Sequence, residues 1–192
     1  MTREAVARRR PAPLTPADKV TLLRAGLGVV VALLVVLTLL GLLPERSWWL
    51  FAVLVPTFAL DAVDGAVARR TGTATARGAR FDMETDSAVV LVVSLAVAPF
   101  APWALLIGLA RYLFWLGALL RPAWRGALPF RQSRRVIAAL QAVALAVALA
   151  PPVAVPVGQA ATAVALALLV FSFARDIRHL ERRAAVAPSA SG

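Results

Sequence analysis

Four aspartates, Asp61, Asp64, Asp82 and Asp86, lie within one short stretch of an otherwise apolar chain. At about 100° per residue, Asp61 and Asp64 share one face of a helix, and Asp82 and Asp86 share one face of the next helix. Converging carboxylates repel one another unless they are protonated or a cation neutralises them. Oxygen ligands without cysteine favour Mg²⁺, Mn²⁺ or Ca²⁺ over zinc. The stretch therefore predicts a divalent metal site between two helices.

Small and basic residues accompany these carboxylates. Gly65, Ala68 and Gly78 leave room for a ligand to approach the helix backbone. Arg69 and Arg77 offer guanidinium groups that suit phosphate. Chemistry at a pyrophosphate requires a carboxylate-bound metal with arginine beside it, because the metal bridges phosphate oxygens and neutralises the leaving group.

The elements that must position these residues are membrane-spanning helices. The chain has 192 residues, of which 60% are hydrophobic and 16% are charged, whereas soluble proteins carry about 25% charged residues. Apolar segments 48–60 and 87–100 flank the stretch, and helical rise puts each carboxylate pair roughly 20 Å from their outer ends. In a hydrocarbon core of about 30 Å, both pairs lie in the inner third. Charges at that depth normally face a bundle interior and mark function.

The whole pattern predicts an all-α integral membrane protein with six transmembrane helices and a short N-terminal juxtamembrane helix. Residues 1–13 are expected to form a basic disordered arm, residues 14–175 the six-helix membrane domain, and residues 176–192 a charged tail that begins as a helix. The expected helices are 15–43 (including the juxtamembrane part), 48–69, 78–98, 103–120, 133–150 and a sixth that ends near 175.

Basic residues predict the topology of these helices. Of the 21 Lys and Arg residues, all but Arg46 and Arg111 lie in the N-terminal region or in alternate inter-span segments, which is the positive-inside pattern. Both termini and the aspartate stretch are therefore expected on the cytoplasmic side of the cytoplasmic membrane. The net charge of +11 then predicts anionic membrane lipid, and no nucleic acid, as a surface partner. The chain has no cysteine, which excludes disulfides and thiolate chemistry.

The motif resembles the signature of the CDP-alcohol phosphotransferase family. The pattern DxxDGxxAR, eight further residues and then GxxxDxxxD is met without departure by Asp61, Asp64, Gly65, Ala68, Arg69, Gly78, Asp82 and Asp86. The six-span layout is also similar to that family over residues 18–175.

The resemblance implies transfer of a phosphatidyl group from a CDP-linked lipid, usually CDP-diacylglycerol, to an alcohol, with release of CMP. It implies one or two Mg²⁺ or Mn²⁺ ions, held by Asp61, Asp64 and Asp82, with Asp86 both sharing in metal binding and acting as the base on the acceptor hydroxyl. It further implies a homodimer. The residues implied to embrace the CDP moiety are Gly65, Ala68, Arg69 and Gly78.

Arg111 lies within the fourth span, where a charge needs a partner. In family members that use phosphorylated acceptors, such an arginine and basic residues at the start of the fifth span hold the acceptor phosphate. Arg111 with Arg134 or Arg135 is similar to that arrangement, which implies an acceptor such as glycerol 3-phosphate or inositol phosphate. The alternatives are that Arg111 pairs with a site carboxylate or reaches toward the membrane surface, and that Arg134 and Arg135 are topology-setting charges.

The first span carries a weaker resemblance. Asp18, Thr21 and Arg24 form DxxTxxR, which is similar to the family's NxxTxxR with Asp in place of Asn, and implies that Asp18 and Thr21 contact the nucleotide. The alternative is a helix cap followed by an arginine that reaches toward the membrane surface.

Other polar residues have structural interpretations. Gln141 and Thr162 are expected to form hydrogen bonds between helices, the alternative being that they contact a substrate. Glu84 is expected to be solvated or ion-paired, and His179 to be solvated.

The carboxylate cluster also suits a divalent-cation transporter, a family member with an unphosphorylated acceptor, or a protein that binds lipid without catalysis. Against transport, the charges lie at one depth near the inner face, and the outer halves of the spans offer no polar pathway.

Overall fold

The computed structural model describes the backbone of residues 16–71, 76–126 and 132–186, and the side chains of residues 23–60, 83–124, 126 and 132–185. Over this part of the chain all regular structure is helical, as predicted. The helices are α1 Pro16–Leu39, α2 Trp48–Thr71, α3 Ala76–Val97, α4 Ala104–Leu120, α5 Gln132–Leu149 and α6 Val155–Val186, with a 3₁₀ turn at Pro122–Arg125 between α4 and α5.

The helix bounds follow the expected spans with two differences. α1 ends at Leu39 rather than at residue 43, because the chain turns through Gly41, whose φ of 73° suits glycine. α1 is continuous from Pro16, so the predicted juxtamembrane helix is, in the described residues, the first part of α1. α6 continues well past Arg175, which gives the tail its expected helical start. The predicted basic arm, residues 1–13, lies outside the described residues.

The outer surface of the bundle is apolar. Large side chains such as Val29, Trp49 and Phe171 are more than half exposed, an arrangement that suits contact with lipid chains rather than water. In the described part of the chain, two helices are long and apolar enough to cross a membrane, Gln132–Leu149 and Val155–Ala185, and shorter apolar runs occupy α1, α2 and α4.

Small residues let the helices approach closely. A Cβ built at Gly108 of α4 would lie 2.7 Å from the Cα of Leu91 in α3, and one built at Gly158 of α6 would lie 2.8 Å from the Cα of Ala148 in α5. Ala148 of α5 therefore lies in close contact with α6. Contacts of this kind replace the hydrophobic driving force that is missing between helices in lipid.

At one end of the bundle, polar side chains join α6 to the segment that precedes α4. The indole Nε1 of Trp103 donates to the hydroxyl oxygen of Thr162 at 3.2 Å, which confirms the predicted interhelical role of Thr162. The Nε2 of Gln159 donates to the carbonyl oxygen of Phe100 at 2.7 Å.

The opposite end of the bundle is joined through the connection between α4 and α5. The indole Nε1 of Trp124 donates to Oε1 of Glu181 at 2.7 Å, and the ring of Trp124 stacks on Phe114 with 5.9 Å between centroids. The part of α6 beyond Arg175 is therefore held against the bundle.

Two helices bridge the pair that carries the aspartate motif. α1 packs against both α2 and α3, and α5 also packs against both of them. α4 packs against α3 and α6. α2 and α3 are thus each positioned by packing against both α1 and α5.

Candidate functional site

Both halves of the aspartate motif lie on helices, as their spacing requires. The residues from Asp61 to Arg69 belong to the last turns of α2, and those from Gly78 to Asp86 belong to the first half of α3. Asp86 has a described side chain. The side chains of Asp61, Asp64, Gly65, Ala68, Arg69, Gly78 and Asp82, and those of Asp18 and Thr21 in α1, lie outside the described residues, and their roles stay predictions.

Asp86 is held by a residue of the first helix. Its Oδ1 accepts a hydrogen bond from a terminal guanidinium nitrogen of Arg24. The side chain of Arg24 is 6% exposed and that of Asp86 is 35% exposed. A buried guanidinium in an apolar helix needs a counter-charge, and here the carboxylate of the motif supplies it. α1 therefore contributes directly to the site.

A cavity of about 1500 Å³ opens beside this ion pair, between α2, α3, α4, α5 and α6. Arg24 and Asp86 line its polar end, and the lining continues past the end of α5 to Val153. Its lining along α5 runs from Gln132 to Val147, about 22 Å of helical rise, so the cavity is elongated along the helix. Most of its remaining wall is apolar, with Phe51, Val55, Phe58, Val143 and Val147 among the lining residues.

The three arginines predicted to hold an acceptor phosphate line the same cavity as Asp86. They are Arg111, Arg134 and Arg135. A terminal nitrogen of Arg111 donates to Oε1 of Glu84 at 2.7 Å, and these side chains are 33% and 63% exposed. Glu84 is therefore ion-paired, one of the two states expected for it. The three predicted acceptor residues and the predicted base thus line one cavity.

Asp176 is a polar residue of this cavity that the sequence did not point to. It lies on α6, is buried and lines the cavity, and its Oδ2 is 3.4 Å from Nε of Arg134. Arg175 beside it donates to the hydroxyl of Ser133 at 2.9 Å. Because the hydropathy of the chain changes at this position, the sequence placed Asp176 in the tail. α6 continues as a helix through this position, and Asp176 therefore packs against Arg134 of α5.

Two expectations about polar residues differ from the structure. His179 was expected to be solvated, and it is only partly exposed, with its Nε2 buried and without a hydrogen-bond partner among the described residues. Gln141 was expected to bond to another helix, but its Nε2 is also buried and, within the same part of the chain, has no partner.

The donor set at the site fits a hard divalent cation. Within the described side chains no group of three or more His, Cys, Asp or Glu residues is placed to hold a metal ion, since three of the four aspartates lie outside them. Asp86 is partly exposed and lines the cavity, so a ligand there can reach its carboxylate. All four candidate ligands offer only oxygen, which is the preference of Mg²⁺ and Mn²⁺.

Comparison with known proteins gives one match. A family model described as CDP-alcohol phosphatidyltransferase matches residues 14–172. The matched range includes both halves of the aspartate motif, all of α1 to α5 and the first half of α6. No significant match is found among curated proteins or among solved structures.

Proposed function

The chain belongs to the CDP-alcohol phosphatidyltransferase family, and from this premise we propose that it transfers a phosphatidyl group from CDP-diacylglycerol to a small phosphorylated alcohol, with release of CMP. Glycerol 3-phosphate and inositol phosphate are acceptors of this class. The observation that carries the proposal is the shared cavity, which has Asp86 and several arginines at one end and an apolar wall along the rest.

The apolar part of the cavity suits a lipid donor. Along α5 it runs from Ile137 to Val147, about 15 Å of helical rise, which is roughly half of a hydrocarbon thickness of about 30 Å. Phe51, Phe58 and Val143 line it and offer no partner for a charged ligand. A lipid with its pyrophosphate at Asp86 would extend its acyl chains along this wall.

The polar end suits an anionic acceptor. Among the described residues it is lined by four arginines and two aspartates, namely Arg24, Arg111, Arg134, Arg135, Asp86 and Asp176. The pair between Arg111 and Glu84 is the most exposed ion pair described here, and exposed pairs contribute only about 0–1 kcal/mol. A phosphate can therefore replace Glu84 at Arg111 at little cost.

In the proposed reaction, Asp61, Asp64, Asp82 and Asp86 would hold Mg²⁺ or Mn²⁺, which when bound neutralises the pyrophosphate and its leaving group. The motif residues Gly65, Ala68, Arg69 and Gly78 would hold the CDP moiety, together with Asp18 and Thr21 of α1.

The acceptor hydroxyl oxygen forms a bond to the phosphorus that carries the diacylglycerol. The bond from that phosphorus to the bridging oxygen breaks, and CMP leaves with the electron pair. The carboxylate of Asp86 takes the hydroxyl proton, and Arg24 holds that carboxylate in position. Arg111, with Arg134 or Arg135, orients the acceptor through its phosphate.

The proposal places all six helices across the cytoplasmic membrane, with both termini and the polar end of the cavity on the cytoplasmic side. Trp48 and Trp49, both largely exposed, then lie at the outer interface, where aromatic residues are enriched. Arg175 and the charged end of α6 lie at the inner interface. We also propose a homodimer, and this part of the proposal is supported only by membership of the family.

Release of CMP tests the reaction. Purified full-length protein is given CDP-diacylglycerol, Mg²⁺ and, in turn, glycerol 3-phosphate, inositol phosphate, inositol and serine. We expect release with a phosphorylated acceptor and with neither of the others. Release with inositol or serine alone would overturn the acceptor class, and no release with any alcohol, combined with divalent-cation flux in proteoliposomes, would favour the transporter.

A variant pair ties the activity to the base. Asp86→Asn is expected to abolish CMP release and to leave binding of CDP-diacylglycerol largely intact. Glu181→Gln is the matched control, because it makes the same change of carboxylate to amide at the contact with Trp124, outside the cavity lining, and it should retain activity. Near-normal rates in Asp86→Asn would refute the assignment of the base.

A further inference from the structure

Gln141 is a polar residue in the apolar part of the cavity wall. It lies on α5, is 8% exposed and lines the cavity. Its Nε2 has no hydrogen-bond partner among the described residues, whereas the hydroxyl of Thr162, also buried, is bonded to Trp103 and to its own helix. A buried donor without an acceptor costs about 1–3 kcal/mol. Gln141 lines the cavity, and because rotation of its terminal amide exchanges the positions of Nε2 and Oε1, a ligand in the cavity can supply the missing acceptor.

The position of Gln141 along α5 indicates which part of a lipid it would meet. Gln141 lies two helical turns from Arg134, about 10 Å by helical rise, and Arg134 and Asp86 both line the polar end of the cavity. The headgroup region of a bilayer, which includes the phosphates and glycerol esters, adds about 5–7 Å to each side of the hydrocarbon core. A lipid whose phosphate lies at the polar end therefore brings its ester carbonyls within reach of the glutamine side chain.

We propose that Nε2 of Gln141 donates a hydrogen bond to an ester carbonyl oxygen of the lipid donor, and that Gln141 thereby selects ester-linked over ether-linked lipid. The inference rests on the proposed function, because it takes the cavity to be the donor site. Ala138 and Ala142 also line the cavity beside Gln141, and their small side chains leave room for a glycerol backbone. A dialkyl ether lipid lacks the carbonyl, so its binding leaves the buried amide unpaired, which is how sites built around a hydrogen bond reject analogues.

The test compares CDP-diacylglycerol with its dialkyl ether analogue in both kcat/KM and Kd. The wild type is expected to prefer the ester by about tenfold, the effect of one neutral hydrogen bond. Gln141→Met keeps the length of the side chain and removes the donor, so its ester preference should fall to near unity. Thr162→Val is the control, because it changes a buried polar group that already has protein partners, and it should keep the wild-type ratio even if stability falls.

Each outcome decides the matter. Equal Kd values for the two lipids in the wild type, or a wild-type ratio in Gln141→Met, would overturn the role of Gln141. An ester preference in Kd that Gln141→Met abolishes, without CMP release from either lipid, would support the contact while refuting the proposed reaction.

Discussion

Loss of the contact between Arg24 and Asp86 is predicted to impair turnover more than stability. Arg24→Ala removes a guanidinium that is 6% exposed and deprives the Asp86 carboxylate of that hydrogen bond. Arg24→Lys keeps the positive charge but loses the planar fork of donors. The two variants therefore separate the contribution of charge from that of orientation.

The size of each effect follows from burial. A hydrogen bond to a charged group contributes about 1.5–3 kcal/mol, while removal of one partner from a fully buried pair costs about 3–5 kcal/mol. Because Asp86 is 35% exposed, the lower range applies, and we expect Arg24→Ala to reduce the free energy of unfolding by about 2 kcal/mol. Displacement of a reacting group by 1 Å can cost about 100-fold in rate, so kcat should fall by about that factor. The kcat and the free energy of unfolding of Arg24→Lys should lie between those of Arg24→Ala and those of the wild type.

The assay measures CMP release under saturating substrates together with thermal unfolding in detergent. Arg46→Ala is the matched control, since Arg46 donates to the carbonyl oxygens of Ala150 and Val153, at the other end of α5 from the acceptor arginines. It should lower the Tm and leave kcat unchanged. A kcat for Arg24→Ala within about twofold of wild type would refute the positioning role. If kcat falls in proportion to the Tm in both Arg24→Ala and Arg46→Ala, the loss of activity would reflect instability instead.

The remaining predictions concern the acceptor and the packing. Arg111→Ala is expected to raise the KM for a phosphorylated acceptor by about tenfold or more and the KM for the CDP donor by less than about twofold, and equal changes would point to a structural role. Glu84→Gln frees Arg111 from its ion pair and should lower the acceptor KM in initial-rate kinetics at low salt, whereas a higher KM would contradict the proposed exchange. Gly108→Ala should lower the Tm, because its Cβ would lie 2.7 Å from the Cα of Leu91, while Gly26→Ala, with nothing within 4 Å, should not. Equal Tm values for these two variants in detergent would contradict the close packing of α3 and α4.

The helices could be predicted from sequence because apolar runs and breakers mark them independently. The bounds of α2 to α5 lie within two residues of the expected ones. The sixth helix shows where this reasoning stops. Hydropathy falls near residue 175, but the segment from 159 to 186 contains no Gly or Pro, so nothing in the backbone ends the helix there. The fall in hydropathy marks the point where the chain leaves the lipid, and it does not mark the end of the helix.

The site could be predicted only as far as local spacing reaches. The aspartates of each helix follow the helical repeat, so their shared faces can be read from the sequence. The pair between Arg24 and Asp86 joins residues 62 positions apart, and spacing says nothing about such pairs. Because a buried arginine needs a carboxylate as partner, the possible partners of Arg24 are the aspartates at similar depth. α1 packs against both helices that carry these aspartates, so the choice of Asp86 follows from the tertiary structure and not from the sequence.

The three ion pairs described in this region differ in exposure, and that difference assigns them different tasks. Arg24 is almost fully buried against Asp86, and Arg134 faces a buried Asp176, whereas Glu84, the partner of Arg111, is 63% exposed. To remove a partner from a buried pair costs several times more than to break an exposed one. An incoming anion can therefore displace Glu84 most easily, while the pair at Asp86 keeps its geometry. This order of costs predicts that the choice of acceptor depends on Arg111 and that the position of the base depends on Arg24, so exchanges of acceptor specificity should be attainable at Arg111 and Glu84 without loss of the reaction itself.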